Sequence, residues 1–472
     1  MHPLDVTILV AYFVGIIAAG MVVSRRAGQG VDSYFLGGRS IPWYLLGISN
    51  ASGQFDITGT MWMVMLMFVF GLKSLWIPWV WPTFNQVFLM VFLAAWLRRS
   101  NVLTGAEWLQ TRFGSGRGLE LAHASVVVFA LVTVISFLAY AFVGIGKFAE
   151  AFLPWDLSPN AYALTIMAGT ALYVIAGGMY SVVFTDLAQF VLLTCASVAV
   201  AAIAMTKTTR DQILAAVPDR WDEISFSWRL DLDWSNRLEF ARQRIADSDY
   251  EFFTVFLMMA LLKGVLASLA GPTPNYDMQR VLATRSPRES CLMSGLVSPV
   301  LYLPRYFLIA GITVLGLVYF SETLASMGGD ADFEQVLPYV MQNFLPPGLK
   351  GILLAGLFAA FMSTFDSTIN AGAAYLVNDI YRRYFRPSKS AGHYMRASYA
   401  CSLGVVLVGG AAGVMIAGPA GWETASTAAE VEATDPQVVA VESQRSVSID
   451  EILQWITAGL YGGYVAPNVL KW

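Results

Sequence analysis

Apolar residues recur along the chain in stretches of roughly 20, each long enough to cross a bilayer as a helix. Eleven spans are predicted, numbered 0 to 10. Spans 0 to 5 cover about 5–23, 41–70, 75–97, 119–149, 159–177 and 180–205. Spans 6 to 10 cover about 251–271, 291–319, 348–379, 396–417 and 450–470. The segment Thr104–Gly114 reads as a short helix at the membrane surface. Residues 206–250, with Trp221, Trp228 and Trp234, predict an external and partly amphipathic segment, and 420–448 a flexible loop.

Composition agrees with the pattern. The 472 residues are 56% hydrophobic and only 13% charged, where a soluble domain has about 25% charged residues. Mean hydropathy is +0.58. The class is an all-α polytopic membrane protein. A net charge of −4 says little, because in a membrane protein the placement of Lys and Arg carries the information. Basic residues collect in alternate loops: Arg25, Arg26 and Arg39 after span 0, and Arg98, Arg99, Arg112 and Arg117 after span 2. Arg280, Arg285 and Arg288 follow span 6, and Arg382, Arg383, Arg386, Lys389 and Arg396 follow span 8. The loops after spans 7 and 9 are acidic. The N-terminus is therefore expected outside and the C-terminus inside. The first residues have no basic stretch or cleavage site, so span 0 is expected to be retained.

Cys195, Cys291 and Cys401 form neither a disulfide framework nor a metal cluster. His2, His123 and His393 are the only histidines, and no HExxH motif occurs. The pattern argues against a metalloenzyme.

Polarity inside the spans is the informative departure. Ionisable groups at membrane depth cost about 2.5–3.5 kcal/mol each on insertion scales, so each marks a functional hypothesis. In span 8, Ala360, Ser363 and Thr364 share one helix face at i, i+3 and i+4. Asp366, Ser367 and Asn370 extend that stripe. Isolated hydroxyls often glue helices or bond their own backbone, but that reading explains a carboxylate among hydroxyls poorly. In span 1, Gly47, Gly53 and Gly59 weaken the helix around Asn50, Ser52, Gln54, Asp56 and Thr58. A broken helix frees carbonyls, tolerated at depth only beside a cavity or within protein, and these suit a hard cation such as sodium. Broken helices in matching positions of two halves point to a transporter site. Span 6, the partner of span 1, carries Lys263-Gly264 and ends at Gly271-Pro272. Asp186, at the start of span 5, reads either as a cation anchor or as a carboxylate at the positive end of a helix dipole.

Four stretches carry a resemblance. "DSYFLGGRSIPWYLLGISN", "GGMYSVVFTDLAQ", "YDMQRVLATRS" and "LPPGLKGILLAGLFAAFMSTFDSTINAGAAYLVNDIY" resemble, in order, motifs of the sodium:solute symporter family. The resemblance implies the leucine-transporter fold: inverted repeats of five helices at 41–205 and 251–470, with span 0 prepended. Family members usually carry further helices, so a chain cut short after span 10 is expected. The resemblance also implies a sodium site built from the carbonyls of Ile48, Ala51 and Ala360 and the hydroxyls of Ser363 and Thr364. This span 1 is one residue shorter than in sugar transporters between Asn50 and Gln54. Some members hold a second sodium, matched here by Asp186, Ser363 and Ser367, with Asp366 where a serine is expected. Asn50, Gln54, Asp56 and Lys263 are the candidate solute contacts.

The expected function is sodium-coupled symport of a small polar solute through a cell (inner or plasma) membrane. No organic cofactor, nucleic acid or enzymatic activity is expected. Proton coupling on the same fold, or a transporter-like sensor, are the alternatives. Lys73, Lys147 and Lys263 read either as anion contacts or as lysines snorkelling to the interface, and Trp76, Trp79 and Trp81 either as a sugar platform or as an interfacial aromatic belt.

Overall fold

The computed structural model describes residues 1–24, 28, 30–55, 57–225, 230–235, 237–247, 276–326 and 336–422. Spans 6 and 10, Asp56, Lys263 and Trp228 lie outside the described residues, as does nearly all of the loop at 420–448. The described residues are helical throughout, apart from loops and one parallel bridge joining Ile41 to Thr284.

Span 0 is Pro3–Val23. Span 1 is broken into Trp43–Gly53 and Ile57–Phe70. Span 2 runs from Trp76 to Ser100 through a π-wound turn at Leu89–Leu93, then bends by 83° into the short helix Gly105–Phe113. Span 3 is Arg117–Phe152 and span 7 is Pro287–Tyr319. Span 8 is Leu349–Ala374, continued as a π-helix over Tyr375–Phe385, and span 9 is Ala391–Ala417. These helices are apolar nearly all round, as lipid requires, because no water is available there to hydrogen-bond an open backbone.

Spans 4 and 5 form one helical stretch, Pro159–Lys207, broken at Gly178. Gly178 has φ 51° and ψ −148°, and a Cβ there would sit 2.4 Å from the Tyr34 carbonyl oxygen. Only glycine accepts both conditions. Helix starts follow local chemistry. Ser158, Ser286 and Ser390 each accept from a backbone N–H in the first turn, the first two just before a proline. Thr104 does the same for Gly105–Phe113.

Span 8 is the central post. Of its most apolar window 94% is buried in protein, against 17% for span 0 and 28% for span 9. Polar side chains on span 8 therefore face other helices rather than lipid. The stripe is not uniform in role. Thr368 bonds back to the Thr364 carbonyl, and Asn370 donates to the Phe35 carbonyl at 3.2 Å. At the far end, His123 of span 3 and Asp379 meet at 2.8 Å, both buried.

The segment after span 5 does more than lie at an interface. Trp221 and Trp234 are buried, and their indoles donate to the carbonyls of Phe68 (3.1 Å) and Val69 (2.9 Å), the last turn of span 1. The Leu72 amide donates to the Trp221 carbonyl at 2.9 Å. Lys73, also buried, has its Nζ 3.1 Å from Glu223 Oε2, and the Trp76 indole donates to the Ile224 carbonyl. Lys73 and Trp76 thus hold this segment in place.

Candidate functional site

The break in span 1 lies against the hydroxyl face of span 8. The first half of span 1 stays helical through Gly53, three residues beyond Asn50. There the last four carbonyls lose their helical donors. Ala51 and Ser52 are taken up by the tightened turn, through the amides of Gln54 (3.2 Å) and Phe55 (3.0 Å). The Gly53 carbonyl accepts from Thr364 Oγ1 at 2.9 Å, and Thr364 Oγ1 also lies 3.2 Å from the Ala360 carbonyl. Gly53, Ala360 and Thr364 therefore converge. Ile48 lies within the unbroken helix, and Ala51 directs its carbonyl to its own turn, so the span-1 carbonyl beside Thr364 is that of Gly53. Asn50 is fully buried and Gln54 half-buried.

Asp186 is the hub beside it. Ser363 donates to Asp186 Oδ1 at 2.5 Å, and Ser49 donates to Oδ2. The Arg280 guanidinium reaches the same oxygen at 2.9 Å, and also donates to Ser367 Oγ (2.7 Å) and Ser49 Oγ (2.8 Å). Arg280 is 1% exposed and Asp186 fully buried. This corrects the sequence reading of Arg280 as one more loop cation. The short helix Tyr276–Ala283 carries it inward, with Met278, Val281 and Leu282 buried alongside. The signal in the sequence is a lone arginine among apolar residues at helical spacing, which proximity to Arg285 and Arg288 obscures. The arrangement gives Asp186 a cation partner from the protein itself.

Asp366 completes the cluster. It accepts from Tyr173 at 3.1 Å, and Ser367 Oγ lies 3.3 Å away while bonding the Ser363 carbonyl at 2.7 Å. Neither Tyr173 nor Ser49 is visible as a site residue from the sequence, because a lone tyrosine or serine in an apolar span carries no spacing signal. Two carboxylates and one guanidinium are thus buried together among spans 1, 4, 5 and 8 and the helix after span 6. Their formal sum is one negative charge.

Among the described residues no group of three His, Cys, Asp or Glu side chains is placed to hold a metal. Hydroxyls and carbonyls remain the donors, the ligand type that hard cations take.

The sodium:solute symporter family model matches residues 34–418. The chain is 25% identical over 425 residues to "Sodium/glucose cotransporter 4" of Danio rerio, covering 84% of the chain and 60% of that protein. It is 26% identical over 402 residues to "Sodium/glucose cotransporter" of Vibrio parahaemolyticus, covering 81% and 70%. Against the vertebrate cotransporter 4 sequences the chain spans less than two thirds of their length, 56–60%. The solved structure of a Na+-coupled sialic acid symporter superposes with a TM-score of 0.70 at 17% identity, over 100% of this chain and 98% of that one. That likeness establishes the leucine-transporter type of fold. With the broken span 1 set against span 8, and a family match over most of its length, this multi-pass membrane protein belongs to the sodium:solute symporter family.

Proposed function

We propose that the protein is a secondary active symporter that couples the entry of sodium to uphill movement of a small polar solute. The observation that carries this reading is the contact of Thr364 with the Gly53 carbonyl at the break of span 1. A sodium ion inserted there trades its water shell for the carbonyls of Gly53 and Ala360 and the hydroxyls of Ser363 and Thr364. Binding then ties span 1 to span 8, and favours whichever arrangement of the two repeats keeps them together. An ion shifts such an equilibrium only by its differential affinity for the states.

The second site is read differently from the first. Arg280 supplies the positive charge beside Asp186 and Ser367 in this arrangement, so one sodium per cycle is the leading stoichiometry. Proton coupling is the second reading, favoured by Asp366, a second buried carboxylate beside a single arginine. Named relatives act on glucose, mannose and myo-inositol with sodium, which supports a polar organic cargo. The distribution of basic residues among the loops supports a cell-membrane orientation with the N-terminus outside.

The test uses the purified chain in detergent. Sodium, but not potassium or choline, should raise its thermal stability. Ser363→Ala and Thr364→Ala should each weaken that response, and proteoliposomes should take up solute only on an inward sodium gradient. An equal response to potassium, or a sodium response unchanged in both variants, argues against the assignment. Uptake driven by a pH gradient alone selects the proton reading.

A further inference from the structure

Span 2 presents one aromatic stripe to its surroundings. Its other side packs on span 7, where Thr83 pairs with Tyr302 at 2.8 Å and the Met90 sulfur lies against Gly295. Phe88, Phe92 and Trp96 recur every fourth residue along the stripe. Phe92 and Trp96 are 62% and 49% exposed, and the Phe88 and Phe92 rings lie 5.5 Å apart. With the buried Leu93 these three rings line a hollow of about 120 Å³. The hollow sits on the π-wound turn Leu89–Leu93, and such turns inside α-helices are frequent at functional sites. An apolar hollow that faces the bilayer suits a hydrocarbon chain rather than a polar solute.

Positive charge gathers at one end of it. Residues 98–117 hold the arginines Arg98, Arg99, Arg112 and Arg117 and a single acid, Glu107. Glu107 turns into the protein, accepting from the Leu103 amide at 2.8 Å and from Asn378 at 3.3 Å. Arg98 also turns inward, donating to the Thr284 carbonyl at 2.5 Å. Its neighbour Arg99 is exposed and lies three residues beyond Trp96, on the same helix face. Arg112 arrives from the short helix Gly105–Phe113, with its Cζ 5.6 Å from the Trp96 ring and 5.6 Å from the Phe113 ring. Aromatic faces attract a guanidinium, and these two hold Arg112 at the corner where span 2 bends by 83°. An apolar hollow and a net positive corner thus adjoin, matching the two halves of an acidic lipid.

We propose that this surface is a binding site for an anionic glycerophospholipid, in the leaflet that the loop charges mark as inner. One acyl chain lies in the hollow between Phe88 and Trp96, and the phosphate and headgroup meet Arg99 and Arg112. A zwitterionic headgroup brings a cation of its own to this basic corner, so the site favours a headgroup of net negative charge. A second copy of this chain docking by the same face would bring its own arginines there, which works against self-association. Boundary lipid of any kind touches an exposed span, so the proposal stands on headgroup selectivity. It is independent of the sodium and solute sites.

The experiment is native mass spectrometry of the delipidated full chain in detergent. The probes are phosphatidylglycerol, phosphatidylcholine of the same acyl chains, and glycerol 3-phosphate. Phosphatidylglycerol should bind about tenfold more tightly than phosphatidylcholine, and glycerol 3-phosphate much more weakly than either. Arg99→Gln and Arg112→Gln should each weaken phosphatidylglycerol about fivefold, the factor for one basic residue at an anionic surface, and leave phosphatidylcholine unchanged. Phe92→Ala should weaken both lipids. Arg386→Gln/Arg396→Gln removes two exposed arginines that follow span 8 and should leave phosphatidylglycerol binding intact. Equal affinity for the two lipids, or phosphatidylglycerol binding unchanged in both single arginine variants, would overturn the inference. So would an equal loss in the Arg386→Gln/Arg396→Gln control, glycerol 3-phosphate binding as tightly as the lipid, or a lipid-free dimer that Phe92→Ala breaks.

Discussion

Replacing Arg280 by glutamine probes the buried cluster most directly. The side chain keeps most of its length but loses the charge and the fork that reaches Ser49, Asp186 and Ser367. Asp186 would retain the hydroxyls of Ser49 and Ser363 with no positive group in contact. Removing one partner of a buried ion pair costs about 3–5 kcal/mol, because the other charge stays behind in a dry site. With an unfolding entropy of about 2.1 cal/mol/K per residue, 472 residues give close to 1 kcal/mol/K. The melting temperature of Arg280→Gln should therefore fall by about 3–5 °C if unfolding is cooperative. The assay is thermal unfolding in detergent, in potassium and again in sodium. Two further outcomes follow from the charge argument. The double variant Asp186→Asn/Arg280→Gln should regain most of the loss, since a neutral pair of similar shape leaves no charge stranded. Sodium should rescue Arg280→Gln more than it stabilises the parent, because it can stand in for the missing cation beside Asp186. The reasoning fails if Arg280→Gln melts with the parent. It fails equally if the double variant falls by the sum of the two single losses, since the residues would then act independently.

Thr364→Ala should remove the bond to Gly53 and weaken sodium about tenfold, or about 1.4 kcal/mol of ion-dependent stabilisation at saturating sodium, read as a shift of the sodium midpoint. Gly178→Ala should destabilise by about 1–3 kcal/mol, since its backbone geometry is open essentially to glycine alone, and low expression or an early melt would report it. Trp234→Phe keeps a ring on Phe68 but loses the bond to the Val69 carbonyl. It should cost about 1–3 kcal/mol in denaturant unfolding, because a buried acceptor is left unpaired.

Much of the site was legible because lipid makes polarity conspicuous. Ser363, Thr364 and Asp366 stood out against an apolar span, and the structure buries all three beside the break in span 1. The register of that break was not legible. Glycines at 47, 53 and 59 all weaken the helix, and only packing against Thr364 selects the interruption after Gly53. The cation beside Asp186 was not legible either. Arg280 follows a span, where basic residues are ordinary.

What the sequence determined by itself, among the described residues, is where apolar helices lie and how several of them begin. A run of apolar residues must become a helix in lipid, since no other partner exists for its backbone, and serine or threonine before the first turn caps it locally. What only the tertiary structure decided is which polar groups meet. Arg280 finds Asp186 across 94 residues and Ser49 across 231, and Thr364 finds Gly53 across 311. Those meetings depend on how helices pack side by side, and a helix's own sequence states which face is polar but not which neighbour that face will touch.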